Sequence, residues 1–167
     1  MATVEISNNG AILRITYTVT NNMSTSATYG TSTITINNLE ARVTGGGTYY
    51  GAKPFYQIQL LKSNGSSIGT YYAFTGNAGS SPAFTLSGSY ASFPEIAGYY
   101  TKNKAITVTR SAQSESFAFS VVNNGSTARY NHNTGSYYFN GSASFTIPDC
   151  AYATPVSISS ITGTSTD

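Results

Sequence analysis

Residues 13–20 read Leu-Arg-Ile-Thr-Tyr-Thr-Val-Thr, and this stretch decides the fold class. Apolar and polar side chains alternate along it, and the apolar ones are Leu13, Ile15, Tyr17 and Val19. Because successive side chains of a strand point to opposite faces, a period of two places the apolar set on one face. The stretch therefore predicts a half-buried β-strand whose apolar face meets a core.

The same alternation recurs along the chain between turn-forming residues. Val4 and Ile6 precede Asn9-Gly10, so the first two strands are expected to form a hairpin around this turn. Within residues 33–43 the apolar phase shifts at Asn37-Asn38, which indicates a bulge or a tight turn. Further strands are expected in segments with the same signal: 55–61, 68–74, 84–86, 106–108, 117–121, 137–139 and 145–147.

These segments amount to about nine or ten strands, and none shows a convincing helical period. The predicted fold is therefore an all-β, antiparallel β-sandwich of the jelly-roll or immunoglobulin-like kind. The sandwich domain is expected to span residues 1–148. Residues 149–167 differ in character and are expected to be a linker or the start of a following module.

The composition is poor in charge. Only 8% of the residues are Asp, Glu, Lys or Arg, whereas an ordinary soluble domain has about 25%. The eight Lys and Arg residues are spread along the chain and give a net charge of +2. Nucleic-acid binding needs a stripe of positive charge, so this composition argues against a nucleic-acid partner.

The single cysteine, the lack of a long apolar run and the composition of the opening residues bear on where the protein is found. One cysteine, Cys150, allows no intramolecular disulfide, and its acidic neighbour Asp149 favours a packed thiol over a reactive one. No stretch approaches the roughly 20 apolar residues of a membrane span. The opening residues lack the basic head and apolar run of a signal peptide. A surface-type composition without an export signal favours a virion protein that is released by lysis.

The residues needed for catalysis are scarce. His132 is the only histidine, and its polar surroundings predict an exposed loop position. A glycosidase needs two carboxylates at a set distance, and no local motif pairs Glu95 with Glu115. No spacing typical of a metal site occurs. We therefore expect a protein that is not an enzyme and that uses no metal or other cofactor.

Tyrosine is the distinctive residue type: 14 Tyr stand beside 8 Phe and no Trp. Tyrosines occur in four adjacent pairs, and the strand phase predicts that Tyr71 and Tyr138 face solvent. An exposed Tyr suits sugar stacking and protein interfaces, whereas cross-strand aromatic pairing in a sheet is the alternative explanation. The candidate ligand-binding residues are Tyr49, Tyr50, Tyr71, Tyr99, Tyr100, Tyr130, His132 and Tyr138.

Five stretches carry a family resemblance. They are the opening 1–7, the threonine-rich 13–22, the strand–turn–strand pattern of 106–120, the small-residue strand ending in Ile-Pro at 141–148, and the linker-like 153–158. Together they resemble the minor structural and tail-tip proteins of siphophages that infect Gram-positive bacteria. The resemblance implies a jelly-roll or immunoglobulin-like module near the point of host recognition, and it implies no catalytic residue.

The first hypothesis is a non-enzymatic structural protein of a phage tail or fibre apparatus. We expect it to be a homo-oligomer that contacts other virion subunits, with a bacterial surface polysaccharide as a further partner. It would be located in the virion tail and be extracellular after release. The alternative is a free-standing carbohydrate-binding module of the lectin or adhesin type. A glycan hydrolase ranks third.

Overall fold

The computed structural model describes residues 1–8, 10–22, 30–53, 56–72, 84–95, 100–110, 114–123, 128–130, 136–137 and 141–147. The strands are β1 (Ala2–Asn8), β2 (Ala11–Asn22), β3 (Thr31–Val43), β4 (Tyr49–Lys53), β5 (Tyr56–Lys62), β6 (Ser67–Tyr72), β7 (Phe84–Leu86), β8 (Ala91–Ser92), β9 (Lys104–Thr109), β10 (Glu115–Asn123), β11 (Ala128–Tyr130), β12 (Ser136–Tyr137) and β13 (Gly141–Ile147). All pairings are antiparallel. No helix occurs within these ranges. The predicted all-β, antiparallel class is confirmed.

The strands form three sheets. The first sheet has the order β1-β2-β3, and β8 and β9 both pair with the far edge of β3. The second sheet has the order β13-β10-β5-β6, and the third has the order β12-β11-β4-β7. In the first sheet Asn8 pairs with Ala11, so β1 and β2 form the hairpin that Asn9-Gly10 predicted.

The expected number of strands was too low, because the described ranges contain thirteen. The strands that the sequence pattern missed are β4, β8 and β11. Two of them have only two or three residues, which is too short for an alternation to show. The third, β4, contains Gly51 and lies beside a run of glycines, which weakens a strand signal.

The pair β2 and β3 shows how the sequence pattern becomes structure. Along β2 every second residue from Ala11 to Tyr17 is buried, and the residues between them, including Ile12, are only half-buried. In β3 the pairing shifts: Thr16 lies opposite Asn38 but Tyr17 lies opposite Ile36, so Asn37 is an extra residue. The predicted irregularity at Asn37-Asn38 is therefore a β-bulge. The bulge changes the phase of β3 and keeps its apolar residues on the inner side of the sheet.

The core lies between the first and second sheets. The Tyr17 ring of β2 meets two rings of the second sheet, with centroids 5.5 Å from Phe119 and 4.8 Å from Phe145. Phe119 and Phe145 stack with centroids 4.8 Å apart. Such ring pairs contribute about 0.5–1.5 kcal/mol each beyond the burial of their area. Two sheets packed face to face in this way are consistent with the predicted β-sandwich.

Two glycines let the edges of the first and second sheets approach each other. A Cβ atom at Gly69 of β6 would lie 2.8 Å from Cδ1 of Ile106 in β9. A Cβ atom at Gly141 of β13 would lie 3.3 Å from Cγ2 of Ile6 in β1. The absence of a side chain at these positions therefore lets β6 approach β9 on one side of the core and β13 approach β1 on the other.

The expected linker, residues 149–167, lies outside the described residues, as does Pro148 at the end of the expected domain. Across the described ranges, no helix is long and apolar enough to cross a membrane.

Candidate functional site

The predicted ligand-binding tyrosines fall into several places. Tyr49 and Tyr50 lie in β4 and Tyr130 lies in β11, so these three belong to the third sheet. The pairing of Tyr130 with Ala52 brings the two strands side by side. Tyr71 lies in β6, the edge strand of the second sheet. The other candidates, Tyr99, His132 and Tyr138, lie outside the described residues.

Tyr100 belongs to the core and is not available to a surface ligand. Its side chain is 1% exposed. Burial is the main reason that the pKa of Tyr100 is raised to about 12, because the phenolate would lose its hydration. The structure therefore places Tyr100 in the core and not on the surface that the predicted ligand contact requires.

The Tyr100 hydroxyl bridges a gap in the pairing along β3. Strand β9 pairs with β3 as far as Ile36, and β8 pairs with it from Glu40. Between them, the backbone N–H of Leu39 donates a hydrogen bond to the Tyr100 hydroxyl oxygen at 3.2 Å. The neighbouring carbonyls of Ile36 and Leu39 accept from Asn103 and Phe93. Polar backbone atoms beside the bulge are thus satisfied inside the protein.

A charged cluster lies on the outer face of the first sheet, at the end nearer the β1–β2 turn. We define it as Glu5, Arg14, Glu40, Arg42 and Tyr90. Glu5, Arg14 and Glu40 face one another across β1, β2 and β3. Arg14 contacts Glu40 Oε1 through both Nη2 and Nε, at 2.9 and 3.0 Å. In a chain with so few charges, this concentration is the main electrostatic feature of the described surface.

Tyr90 closes the charged cluster from above the sheet. Its hydroxyl donates a hydrogen bond to Glu5 Oε2. The Arg14 guanidinium carbon lies 3.6 Å from the ring centroid, and that of Arg42 lies 5.4 Å away. Burial and the bond to Glu5 raise the pKa of Tyr90, while Arg42 and Arg14 act in the opposite direction. Both carboxylates and the ring are engaged within the cluster, which holds the segment around Tyr90 against the sheet.

Beyond the bulge, the outer face of the same sheet is neutral. We call this surface the hydroxyl face and define it by Thr18, Thr20, Asn22, Thr31, Thr33, Thr35, Thr107 and Thr109. Thr20, Thr33 and Thr107 form one row across β2, β3 and β9, and Asn22, Thr31 and Thr109 form the next. The strand pairing therefore arranges hydroxyl groups in two directions, along the strands and across them.

Side-chain hydrogen bonds fix these groups. Asn22 Nδ2 donates to the hydroxyls of Thr31 and Thr33 at 3.2 Å each. The hydroxyls of Thr33 and Thr107 lie 3.3 Å apart. The Thr18 hydroxyl donates to Asn37 Oδ1 at 2.6 Å, which ties the face to the bulge. Threonine is also stiff at χ1, so its methyl and hydroxyl groups keep their positions.

A buried arginine lies at one end of the core. Arg110 is 4% exposed. Its Nη1 donates to Asn21 Oδ1 at 3.2 Å and to Ser32 Oγ at 3.0 Å, and its Nη2 donates to the Ile147 carbonyl at 3.3 Å. These bonds join the ends of four strands. The arrangement offsets the high cost of burying a guanidinium and serves a structural purpose.

The described side chains do not assemble a metal site, since no three His, Cys, Asp or Glu residues among them could share an ion. Three carboxylates of the described surface are held in structural contacts. Glu5 binds Tyr90, Glu40 binds Arg14, and Glu95 Oε1 accepts from the backbone N–H of Lys102 at 3.1 Å. This arrangement orders the surface and does not resemble an acid–base pair.

Sequence reasoning missed both outer surfaces, for different reasons. Glu5 and Tyr90 are 85 residues apart, so no local pattern could connect them. The hydroxyl face did leave a signal, because threonine occupies alternate positions in 16–20, 31–35 and 107–109. In the sequence these threonines look like the polar phase of separate strands. The regular surface that they form together becomes visible only when the strands are paired.

Comparisons of this chain with protein families, with curated proteins and with solved structures gave no match.

Proposed function

We propose that this chain is a non-enzymatic structural protein of a phage tail or fibre apparatus that contacts a glycan on the host cell surface. One observation carries the binding part of the proposal. Polar side chains on the outer face of the first sheet form a fixed surface of hydroxyls, amides and one aromatic ring. Such a surface can accept and donate hydrogen bonds to a polyhydroxylated ligand at little cost in conformational entropy.

The non-catalytic part rests on the contacts of the charged groups. Hydrolysis of a glycosidic bond needs one carboxyl group that gives a proton and a second that attacks or activates water. Arg14 holds Glu40 through two contacts, and Tyr90 holds Glu5, so each carboxylate has a structural partner. A binding module needs only such ordered contacts.

The virion setting rests on the sequence resemblance and on the physics of weak sites. A single exposed sheet face offers modest affinity, because it leaves most of the ligand in water. Several copies in one assembly would convert weak contacts into firm attachment. Repetition in a tail or fibre would supply those copies.

Binding of the purified full chain to Gram-positive cell walls tests the proposal. We expect the chain to sediment with intact walls and to lose this binding after mild periodate treatment, which opens vicinal diols of sugars. Release of reducing ends from the walls should stay at the level of a protein-free control. Absence of binding to any wall preparation, or release of reducing ends, would show that the proposal is wrong.

The assembly state separates the two binding hypotheses. Light scattering should give a stable oligomer if the chain is a tail or fibre module. A monomer that binds cell walls would favour the free-standing lectin- or adhesin-like module, for which the same polar surface is the supporting observation.

A further inference from the structure

The hydroxyl face is the part of the described surface with the most regular chemistry. Outward residues along one strand repeat about every 6.7 Å, and neighbouring strands are about 4.8 Å apart. Two rows of three polar residues cross β2, β3 and β9 in register. Hydroxyl groups therefore recur at regular separations in two directions, along the strands and across them.

The lack of charge among the residues that define the hydroxyl face favours a neutral ligand. All eight residues that define the hydroxyl face are neutral, whereas the charged cluster lies on the other side of the bulge. An anionic polymer would find no cation among these eight residues to replace its counterions. A neutral polymer would lose little hydration energy there, because each of its hydroxyls could exchange water for a threonine or asparagine group.

The hydroxyl groups keep capacity for a ligand after their internal bonds are made. A threonine hydroxyl has one donor hydrogen and two acceptor lone pairs. The Thr107 side chain is exposed, and its hydroxyl contacts that of Thr33, 3.3 Å away. Its methyl group offers an apolar contact beside the polar one, which suits the mixed C–H and O–H surface of a sugar ring.

We infer that the hydroxyl face is the glycan-binding site and that its ligand is an extended, neutral polysaccharide. This inference rests on the proposed function and makes it more specific. Contacts along a flat array are individually weak and add along a polymer, so affinity should rise with the length of the saccharide.

Affinity electrophoresis of the full chain provides the test, with dextran, mannan and a rhamnose polymer as neutral probes and glycerol-phosphate teichoic acid as the anionic probe. We expect at least one neutral polymer to retard the wild-type chain, and the teichoic acid to retard it less. Short oligosaccharides of the retarding polymer should compete less well than long ones.

A matched pair of variants locates the site. Thr107→Lys places a large cation on the hydroxyl face. Thr146→Lys makes the same change on the outer face of the second sheet, where Thr146 is likewise exposed and its hydroxyl lies 3.2 Å from that of Ser116. We expect Thr107→Lys to lower the association constant at least about tenfold and Thr146→Lys to leave it within about twofold, with both melting temperatures within about 3 °C of wild type.

The possible outcomes distinguish a failure of this site assignment from a failure of the proposed function. If the wild type binds a neutral polymer and Thr107→Lys binds it equally well, the site is elsewhere and the function stands. If only teichoic acid binds, the neutral class is wrong. If Thr107→Lys changes the oligomeric state and not the binding of polysaccharide, the face is a contact between copies. If no polysaccharide binds, the proposed function fails as well.

Discussion

The two ends of the outer face of the first sheet differ in chemistry although they share the strands β2 and β3. On one side of the bulge the charged cluster joins Arg14, Glu40 and Tyr90 by an ion pair and ring contacts. On the other side the hydroxyl face joins Thr33 and Thr107 by neutral hydrogen bonds. The inner face is apolar along most of both strands, and its polar exception is Ser32 beside the buried Arg110. The contrast between charged and neutral side chains therefore concerns the outer surface.

The bulge at Asn37 marks the boundary between the two ends within β3. Before it, Ile34 and Ile36 point inward; after it, Leu39 and Ala41 do so. The bulge absorbs the extra residue, so the apolar residues on both sides of it stay inside. The Asn37 side chain bridges the outer surface, accepting from Thr18 and donating to Asn103. A single unpaired residue thus separates a charged surface from a neutral one.

Deletion of Asn37 should produce the largest loss of stability. Ile36, Leu39 and Ala41 would then alternate regularly and stay inside, but the bulge and the hydrogen bonds of Asn37 with Thr18 and Asn103 would be lost. We expect a loss of about 2–3 kcal/mol with the fold retained. Far-UV circular dichroism and urea unfolding would measure it.

Deletion of Gly45 is the control for the Asn37 deletion. Gly45 lies in an exposed bend, and nothing would contact a Cβ atom at its position within 4 Å. This variant should stay within about 1 kcal/mol of wild type. If the two deletion variants are equally stable, the bulge and the contacts of Asn37 contribute nothing to stability.

Tyr100→Phe should cost about 1–3 kcal/mol at neutral pH, because the Leu39 N–H loses its acceptor in the core. The cost should shrink in alkali. The folded pKa of about 12 exceeds the unfolded value of 10.0, so the contribution of Tyr100 is complete below pH 10 and is lost as the pH rises through about 12.

Urea unfolding of wild type and Tyr100→Phe from about pH 9 to about pH 11.5 would measure this difference. Among the described residues, Tyr17 and Tyr90 also have a raised pKa, but both are present in the two proteins and their contributions cancel. A cost that stays constant across this range would contradict the buried position of the hydroxyl.

Arg14→Met should destabilise the charged end by about 1 kcal/mol, as a partly exposed ion pair and a close cation–π contact are lost together. Added salt should reduce this difference, since it screens the pair in the wild type. Arg42→Met is the matched variant, because Arg42 lies farther from the same ring. Equal costs for the two variants would argue against the stacking geometry.

Thr33→Val should have the smallest effect, about 0.5 kcal/mol or less, because valine keeps the branched shape and suits a strand. The lost contacts are the hydrogen bonds with Asn22 and Thr107. The effect should not depend on salt. A salt dependence as large as that of Arg14→Met would remove the distinction between the two ends of the face.

The sequence predicted the long strands well because they repeat their signal. Twelve residues of β2 and thirteen of β3 carry enough alternation to show the inner face and even the phase shift at Asn37. Two-residue strands such as β8 carry no such signal. Their pairing is decided by tertiary contacts that a local pattern does not contain.

The site was harder to predict than the fold. Tyr100 is an isolated pairing residue with no alternating neighbours, so the direction of its side chain could not be inferred from the sequence. Tyr90 gains its importance from Glu5 and Arg14, which lie far away in sequence. Long-range register determines these contacts, and composition alone cannot reveal register.

The contacts of Arg110 affect how the protein would resist a pulling force. Its guanidinium is anchored to Asn21 and Ser32, and it also holds the last carbonyl of β13, that of Ile147. Tension on the chain beyond this residue would load that bond first and pass through the guanidinium into β2 and β3. A pull at the C-terminal side would therefore be shared between both layers of the protein before β13 could peel from β10.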